Sequence, residues 1–237
     1  MYTSLSVLVF LCLVMDCCVN LNVTDNSDSS LKIIVCDGLI GNLPNGKSDM
    51  IQYLCVPDGD ITQVTQKAFE FIQDNPQKKI MLLISAGSFN SFTFNKDEYS
   101  NAPQCYLDKL LDNLKSEYVN AFHKLTVQLA KCGGKLLIST LIPMPFMLDL
   151  EPQEKKFISD CFLSLNDVII KLNKSAKVPT PFLREVVEYR SGFIPNTKQN
   201  KFGHKKHYVD KYHLNSAAQQ KMMDKCIKCL DNLVKNL

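Results

Sequence analysis

Short runs of apolar residues recur along the chain, and between them apolar residues are spaced as in helices. The runs at residues 31–36, 79–85 and 135–142 are mostly Ile, Leu, Val and Met at consecutive positions, so neither face is polar. Such runs are typical of strands buried on both faces of a parallel sheet. A more mixed segment at residues 51–56 is compatible with another strand, and we predict strands at all four places.

Helical spacing follows the second, third and fourth predicted strands. Apolar stripes at intervals of three and four run through residues 61–72, 107–129 and 158–172, and a last helix is expected from about Asn215. Asp60 is placed to cap the first of these helices, and Gly133-Gly134 to end the second. Strands that alternate with helices indicate a parallel sheet covered on both faces. We predict one α/β domain, a three-layer α/β/α sandwich with a central parallel sheet, over residues 31–237.

The first 30 residues differ in character from the rest. An apolar run from Leu5 to Val14 is too short for a membrane-spanning helix and suits the core of a signal peptide. We predict a leader at residues 1–19 and a polar linker at 20–30, although no Lys or Arg precedes the run. N-glycosylation sequons, which are frequent by chance, begin at Asn22 and Asn173. The prediction is a glycoprotein that is secreted or in the endoplasmic-reticulum lumen, without a stable membrane span; the alternative is cytoplasmic.

Cysteine content and charge leave compartment and partner open. Seven of the ten cysteines lie beyond the predicted leader, and an odd number implies a free thiol or an intermolecular bridge in a secreted protein. Cys226-x-x-Cys229 falls in a helical pattern without a second pair at zinc-site spacing, so we interpret it as structural. A net charge of +3 is too small to indicate a polyanionic partner by itself. No cofactor and no metal are expected.

The main candidate for chemistry lies just before the last predicted helix. In the segment Asp210-Lys211-Tyr212-His213, the carboxylate can accept the Nδ1 proton of the imidazole three residues later, which leaves Nε2 free as a base. Sites in parallel α/β sheets form at the carboxyl ends of the strands. We therefore expect the loops at residues 37–38, 57–59, 87–90 and 143–145 to meet this segment.

The order of these loops resembles that of the SGNH (GDSL-type) hydrolases, over roughly residues 31–230. In that family a serine after the first strand is the nucleophile, and a late Asp-x-x-His completes the catalytic triad. A glycine after the second strand and an asparagine after the third supply oxyanion donors. The resemblance implies that Asp210 and His213 are the remaining triad members and that Gly59 is an oxyanion donor.

Two positions depart from the pattern of that family. The first block is Cys36-Asp37-Gly38, which puts Gly38 where the nucleophilic serine stands, and Phe89 occupies the place of the oxyanion asparagine. Glycine has no side chain that could form a covalent acyl-enzyme. Loss of an oxyanion donor costs about 3 kcal/mol of transition-state stabilisation. We expect a catalytically impaired protein whose cleft is vestigial and binds an unknown ligand or a protein partner.

Three substitutes would restore part of the machinery. Cys36 would be a displaced nucleophile, but at the last position of a strand it is expected to point into the core. Ser88 would be a nucleophile facing His213. Asn90 would be the oxyanion donor if the third block is shifted by one residue. The alternative function is therefore a residual or altered esterase that uses Asp210 and His213 with Ser88 or water.

A further alternative rests on the basic segment before the last helix. Residues 198–213 contain five lysines against one aspartate, with three aromatic residues interleaved. This composition suits a polyanion or single-stranded nucleic acid, and it is also typical of a solvated loop. The OSK domain of the insect Oskar protein is similar in its missing serine and basic late loop, which implies RNA binding. The binding residues would then be Lys201, Lys205, Lys206 and Lys211, although we rank nucleic acid below a ligand at the cleft.

Overall fold

In the described residues, strands and helices alternate from residue 51 to residue 175, as the sequence pattern predicts. The computed structural model describes residues 30–37, 51–57, 59–87, 103–142, 152–183, 186 and 214–235. The strands in these ranges are β1 (Leu31–Cys36), β2 (Ile51–Cys55), β3 (Ile80–Ser85) and β4 (Lys135–Ile138). The helices are α1 (Ile61–Asp74), α2 (Pro103–Ala130), α3 (Pro152–Ser175) and α4 (Ser216–Lys235).

The described strands form one sheet in the order β2-β1-β3-β4, and every pairing in it is parallel. β1 and β3 are the inner strands, and all six residues of β3 are buried. An inner strand has no solvated face, which explains why these two segments are apolar at consecutive positions. The prediction of a parallel sheet is confirmed.

Alternate residues of the strands point into two separate cores. Ile33 and Val35 of β1 belong to a core shared with α1, α2 and α3. Ile34 and Cys36 point to the opposite face, where α4 supplies most of the packing side chains. Helices thus cover both faces, and the predicted three-layer α/β/α sandwich is confirmed. Cys36, only 3% exposed, points into the core as expected.

β4 is shorter than predicted, because the backbone beyond Ile138 finds other partners. We expected a strand through Ile142. Ser139 N still donates to Ile84 O of β3 (2.9 Å), but Thr140 N donates to Pro181 O (3.0 Å). Leu141 N donates to the side chain of Asn166 (2.7 Å). Apolar character continued past the point where the ladder ends, so the boundary was wrong.

The helix boundaries follow recognisable signals. Asp60 caps α1 in a capping box: its side chain accepts from Gln63 N (2.7 Å), and the Gln63 side chain accepts from Asp60 N (3.0 Å). Gly133, in the left-handed region at φ 66°, follows the end of α2. Both signals were predicted. Cys226 and Cys229 lie on successive turns of α4 as unbridged thiols, which agrees with a structural role.

No helix within the described ranges combines the length and apolarity needed to cross a bilayer.

Stability should fall at alkaline pH because of Cys226, whose side chain is fully buried. Burial, followed by the nearby charge of Cys229, raises its pKa above the ordinary value of 9.0. A raised folded-state pKa gives a contribution that is complete below the unfolded-state pKa and is lost as the pH rises above it. We expect the free energy of unfolding to drop by about 1.4 kcal/mol per pH unit for this group above about pH 9.

Urea unfolding from neutral pH to about pH 11 measures this slope. Cys226→Ala should flatten the alkaline slope, whatever it costs at neutral pH. Cys105→Ala, which changes an exposed cysteine of α2, is the matched control and should leave the slope unchanged. Equal slopes for the wild type and Cys226→Ala would contradict the assignment.

Candidate functional site

The carboxyl ends of all the described strands lie at one edge of the sheet, because the strands are parallel and in register. α4 runs in the opposite direction: Lys32, near the start of β1, forms an ion pair with Asp231 near the end of the helix (2.6 Å). The first turn of α4 therefore lies toward the carboxyl edge. Leu214 and Asn215 lead into that turn, and Asn215 Oδ1 caps the helix by accepting from Ala218 N (2.9 Å).

Asp37 joins the ends of β1 and β3. It directly follows β1, is 1% exposed, and its N–H donates to Ser85 O (3.1 Å). Its carboxylate Oδ2 accepts a hydrogen bond from Gly87 N (3.1 Å). A buried carboxylate is stable only with such partners. Asp37 thus fixes the backbone at the exit of β3 relative to that of β1.

Tyr118 of α2 supports the same edge from the side. Its ring is fully buried, and its hydroxyl donates to Ala86 O (2.7 Å). Burial, together with the nearby charges of Asp37 and Glu117, raises the pKa of the Tyr118 phenol well above its ordinary value. The hydroxyl therefore stays protonated and serves as a donor over the whole physiological pH range.

Gly87 is required by this arrangement. Its φ is +100°, a conformation that side chains with a Cβ rarely adopt. A Cβ at this position would overlap the Tyr118 hydroxyl and touch Leu141 Cδ2 at 3.6 Å. The exit of β3 can therefore bend between Asp37 and Tyr118 only with glycine at this position.

Gly59 closes a tight turn after β2. It is buried, and its N–H donates to Val56 O (2.9 Å). An added Cβ would lie 2.6 Å from Val56 Cγ1. The N–H that the SGNH resemblance assigns to an oxyanion hole is thus bonded within the turn, and a ligand would have to share it in a three-centre bond.

The remaining predicted site residues lie outside the described ranges, and their roles stay predictions. They are Gly38, Ser88, Phe89, Asn90, Asp210, His213, Lys201, Lys205, Lys206 and Lys211. Three described residues are their neighbours in sequence. Asp37 and Leu214 are buried, and Gly87 N donates to Asp37 at the strand ends. Within the described part of the chain, no three His, Cys, Asp or Glu side chains are grouped so that they could hold a metal ion.

Sequence reasoning missed the contacts that shape this edge. Asp37 was noted only as a neighbour of Gly38, and Tyr118 only as a member of the apolar stripe of α2. A carboxylate directly after a buried strand and a phenol within a buried stripe both need hydrogen-bond partners, which is the signal that could have joined them.

Solved structures with a similar fold include acylhydrolases. The chain is similar to a lipase/acylhydrolase from Enterococcus faecalis, at 10% identity and a TM-score of 0.54, over 88% of this chain and 97% of that one. A putative acylhydrolase from Bacteroides fragilis shows 12% identity and a TM-score of 0.55, over 91% and 92% of the two chains. The fold is that of the SGNH (GDSL-type) hydrolases. Neither the models of known protein families nor the curated proteins include a match to this sequence.

The SGNH-like fold also has a structural likeness to the OSK domain of Drosophila Oskar, with 11% identity and a TM-score of 0.46 over 90% of this chain and 98% of that one. A score this low carries no argument about nucleic acid. At identities near a tenth, the acylhydrolases likewise show the fold and leave the reaction open.

The exit of β3 should tolerate no side chain at Gly87. Gly87→Ala should cost about 3 kcal/mol of unfolding free energy or more, from backbone strain together with overlap on Tyr118. Gly133→Ala is the matched control, since its φ is also positive but nothing lies within 4 Å of the added Cβ. It should cost about 1 kcal/mol from strain alone.

Urea unfolding of these variants beside Gly87→Ala/Tyr118→Phe would check the cause. The double variant should be less destabilised than the sum of its single changes, because removing the hydroxyl relieves the overlap. Gly87→Ala costing no more than Gly133→Ala would refute the account of this bend.

Proposed function

We propose that this protein is a catalytically impaired SGNH-type protein that binds a ligand or a protein partner at the carboxyl edge of its sheet. The observation that carries the proposal is the contact between Asp37 and Gly87, which holds the ends of β1 and β3 together. One partner of this contact, Asp37, directly precedes position 38, where the sequence has glycine instead of a nucleophile.

The chemistry that is missing supports the non-catalytic role. Acyl transfer by an SGNH hydrolase needs a hydroxyl beside the base, and Gly38 offers none. The side chain of Phe89 has no donor for a developing oxyanion, and the Gly59 N–H is already bonded to Val56 O. Asp210 and His213 would still form a base without a nucleophile to activate. Binding in the cleft requires neither nucleophile nor oxyanion donor.

The proposal includes the compartment. The apolar run from Leu5 to Val14 suits a cleaved leader, so we propose that the chain is secreted or resides in the endoplasmic-reticulum lumen. Amino-terminal sequencing of the mature protein from eukaryotic cells tests this. A mature chain that begins near residue 20 supports it, and a chain that retains residues 1–19 in the cytosol contradicts it.

Restoring a serine should restore nucleophilic chemistry. We expect the wild type to hydrolyse p-nitrophenyl butyrate no faster than His213→Ala, and Gly38→Ser to be about tenfold faster or more, because a hydroxyl then lies beside the proposed base. Gly38→Ala, which adds a Cβ without a hydroxyl, is the matched control and should stay inactive. A fluorophosphonate probe should label Gly38→Ser alone, on the introduced hydroxyl.

Other outcomes separate the alternatives. Wild-type hydrolysis that His213→Ala abolishes would overturn the impaired-enzyme proposal and point to a displaced nucleophile, with Ser88→Ala as the next variant. Equal, background rates for Gly38→Ser and Gly38→Ala, with both variants folded, would contradict the position assigned to the nucleophile.

A further inference from the structure

Asn173, the acceptor of the second sequon, is completely buried. It lies in the last turns of α3, and its exposed fraction is 0%. A glycosylated asparagine needs its side-chain nitrogen at the surface, since the attached sugar is bulky and hydrated. The sequon in the sequence and the position of its acceptor in the fold are therefore in conflict.

The amide of Asn173 completes the edge of the sheet. Ser139 N is directed to Ile84 O of β3, so the backbone groups of the preceding residue, Ile138, are directed away from β3. Asn173 Oδ1 accepts from Ile138 N (3.0 Å), and Asn173 Nδ2 donates to Ile138 O (2.7 Å). The carboxamide thus takes the place that a peptide group of a further strand would occupy.

The second proton of Nδ2 is also used. Asn173 Nδ2 donates to Thr180 Oγ1 (3.2 Å), so both N–H groups of the carboxamide have acceptors within the protein. Asn166, two turns earlier on α3, bonds Leu141 N in a similar way (2.7 Å). These contacts tie α3 to the chain on either side of the end of β4.

We infer that a glycan at Asn173 and the native fold exclude each other. In the transfer reaction a lipid-linked oligosaccharide diphosphate loses its C1–O bond, and C1 forms a bond to Nδ2. One proton leaves the nitrogen, and the diphosphate departs with the bonding electrons. The sugar would replace a proton that now bonds Ile138 O or Thr180 Oγ1, in a place with no exposed surface. Asn173 is thus an acceptor only in the unfolded chain, and modification there prevents folding.

The inference is independent of the function proposed for the cleft. It rests on α3 and β4 alone, and it holds in whichever compartment the chain folds. A chain that folds in the endoplasmic-reticulum lumen must do so with Asn173 unmodified. The sequon at Asn173 therefore gives no support to the prediction of a glycoprotein, while Asn22 lies outside the described residues.

An acceptor assay tests whether Asn173 of the folded protein can be glycosylated. Full-length protein from the bacterial cytosol is offered, in its native state, to purified oligosaccharyltransferase with a lipid-linked oligosaccharide. A synthetic peptide of residues 166–180 is the positive control, and Ser175→Ala, which lacks the sequon, is the blank. Site-resolved mass spectrometry should find the glycan on the peptide and none on Asn173 of the native protein. Modification of the native protein at a rate near that of the peptide, with its circular dichroism unchanged, would overturn the inference.

A stability comparison tests whether the hydrogen bonds of the Asn173 amide are needed for folding. It decides the inference if the peptide is not modified. Ser175→Ala removes the sequon and keeps Asn173, so its thermal midpoint should stay within about 2 °C of the wild type. Asn173→Asp keeps the shape but loses both donors, and its midpoint should fall by about 5 °C or more. Thr180→Val, which removes one acceptor, gives a milder change if Asn173→Asp does not fold. Wild-type midpoints for Asn173→Asp and Thr180→Val would refute the inference.

Discussion

The buried carboxylate of Asp37 is the constraint on which the carboxyl edge of the sheet depends. A carboxylate that is 1% exposed must be hydrogen-bonded, and it obtains its partner from Gly87 N at the exit of β3. The backbone at Gly87 has a positive φ, and the Tyr118 hydroxyl fills the space that a Cβ would need. These contacts hold together three segments that are distant in sequence: the end of β1, the end of β3 and the middle of α2.

Buried polar groups at the β4 side of the sheet also need hydrogen-bond partners. Within the described residues, no strand pairs with the outer side of Ile138 in β4 or with Leu141 just after it. An unpaired buried peptide group costs free energy comparable to a lost hydrogen bond. α3 supplies Asn173 and Asn166 for these groups, at 0% and 2% exposure. At both margins, therefore, side chains of helices complete what the ladder of parallel strands leaves open. The two cores bury the apolar surface, but these polar contacts define where the sheet ends.

These contacts also explain how much the sequence could predict. The span of β1 was predicted correctly, because its apolar run is bounded by a polar linker and Asp37. The end of β4 was wrong, since the partners of the backbone there come from α3 and residue 181, far away in sequence. Periodicity grouped Tyr118 with core residues and could not show what its hydroxyl bonds. Likewise, the motif at Asn173 was visible, but its burial depends on tertiary packing. For the site, the sequence predicts the residues, and those outside the described ranges stay predictions.

Asp37 also bears on the proposed function, because it directly precedes position 38 in the sequence. Asp37 and Gly87 hold the backbone in place through a hydrogen bond between the Asp37 carboxylate and the Gly87 N–H. A buried carboxylate is nevertheless a costly support, and an apolar contact of similar size is often at least as stable. Departures of this kind from the usual placement of charged groups are expected at functional sites. Under the proposed function, the buried support at the strand ends would hold the shape of a surface that binds a ligand or a partner.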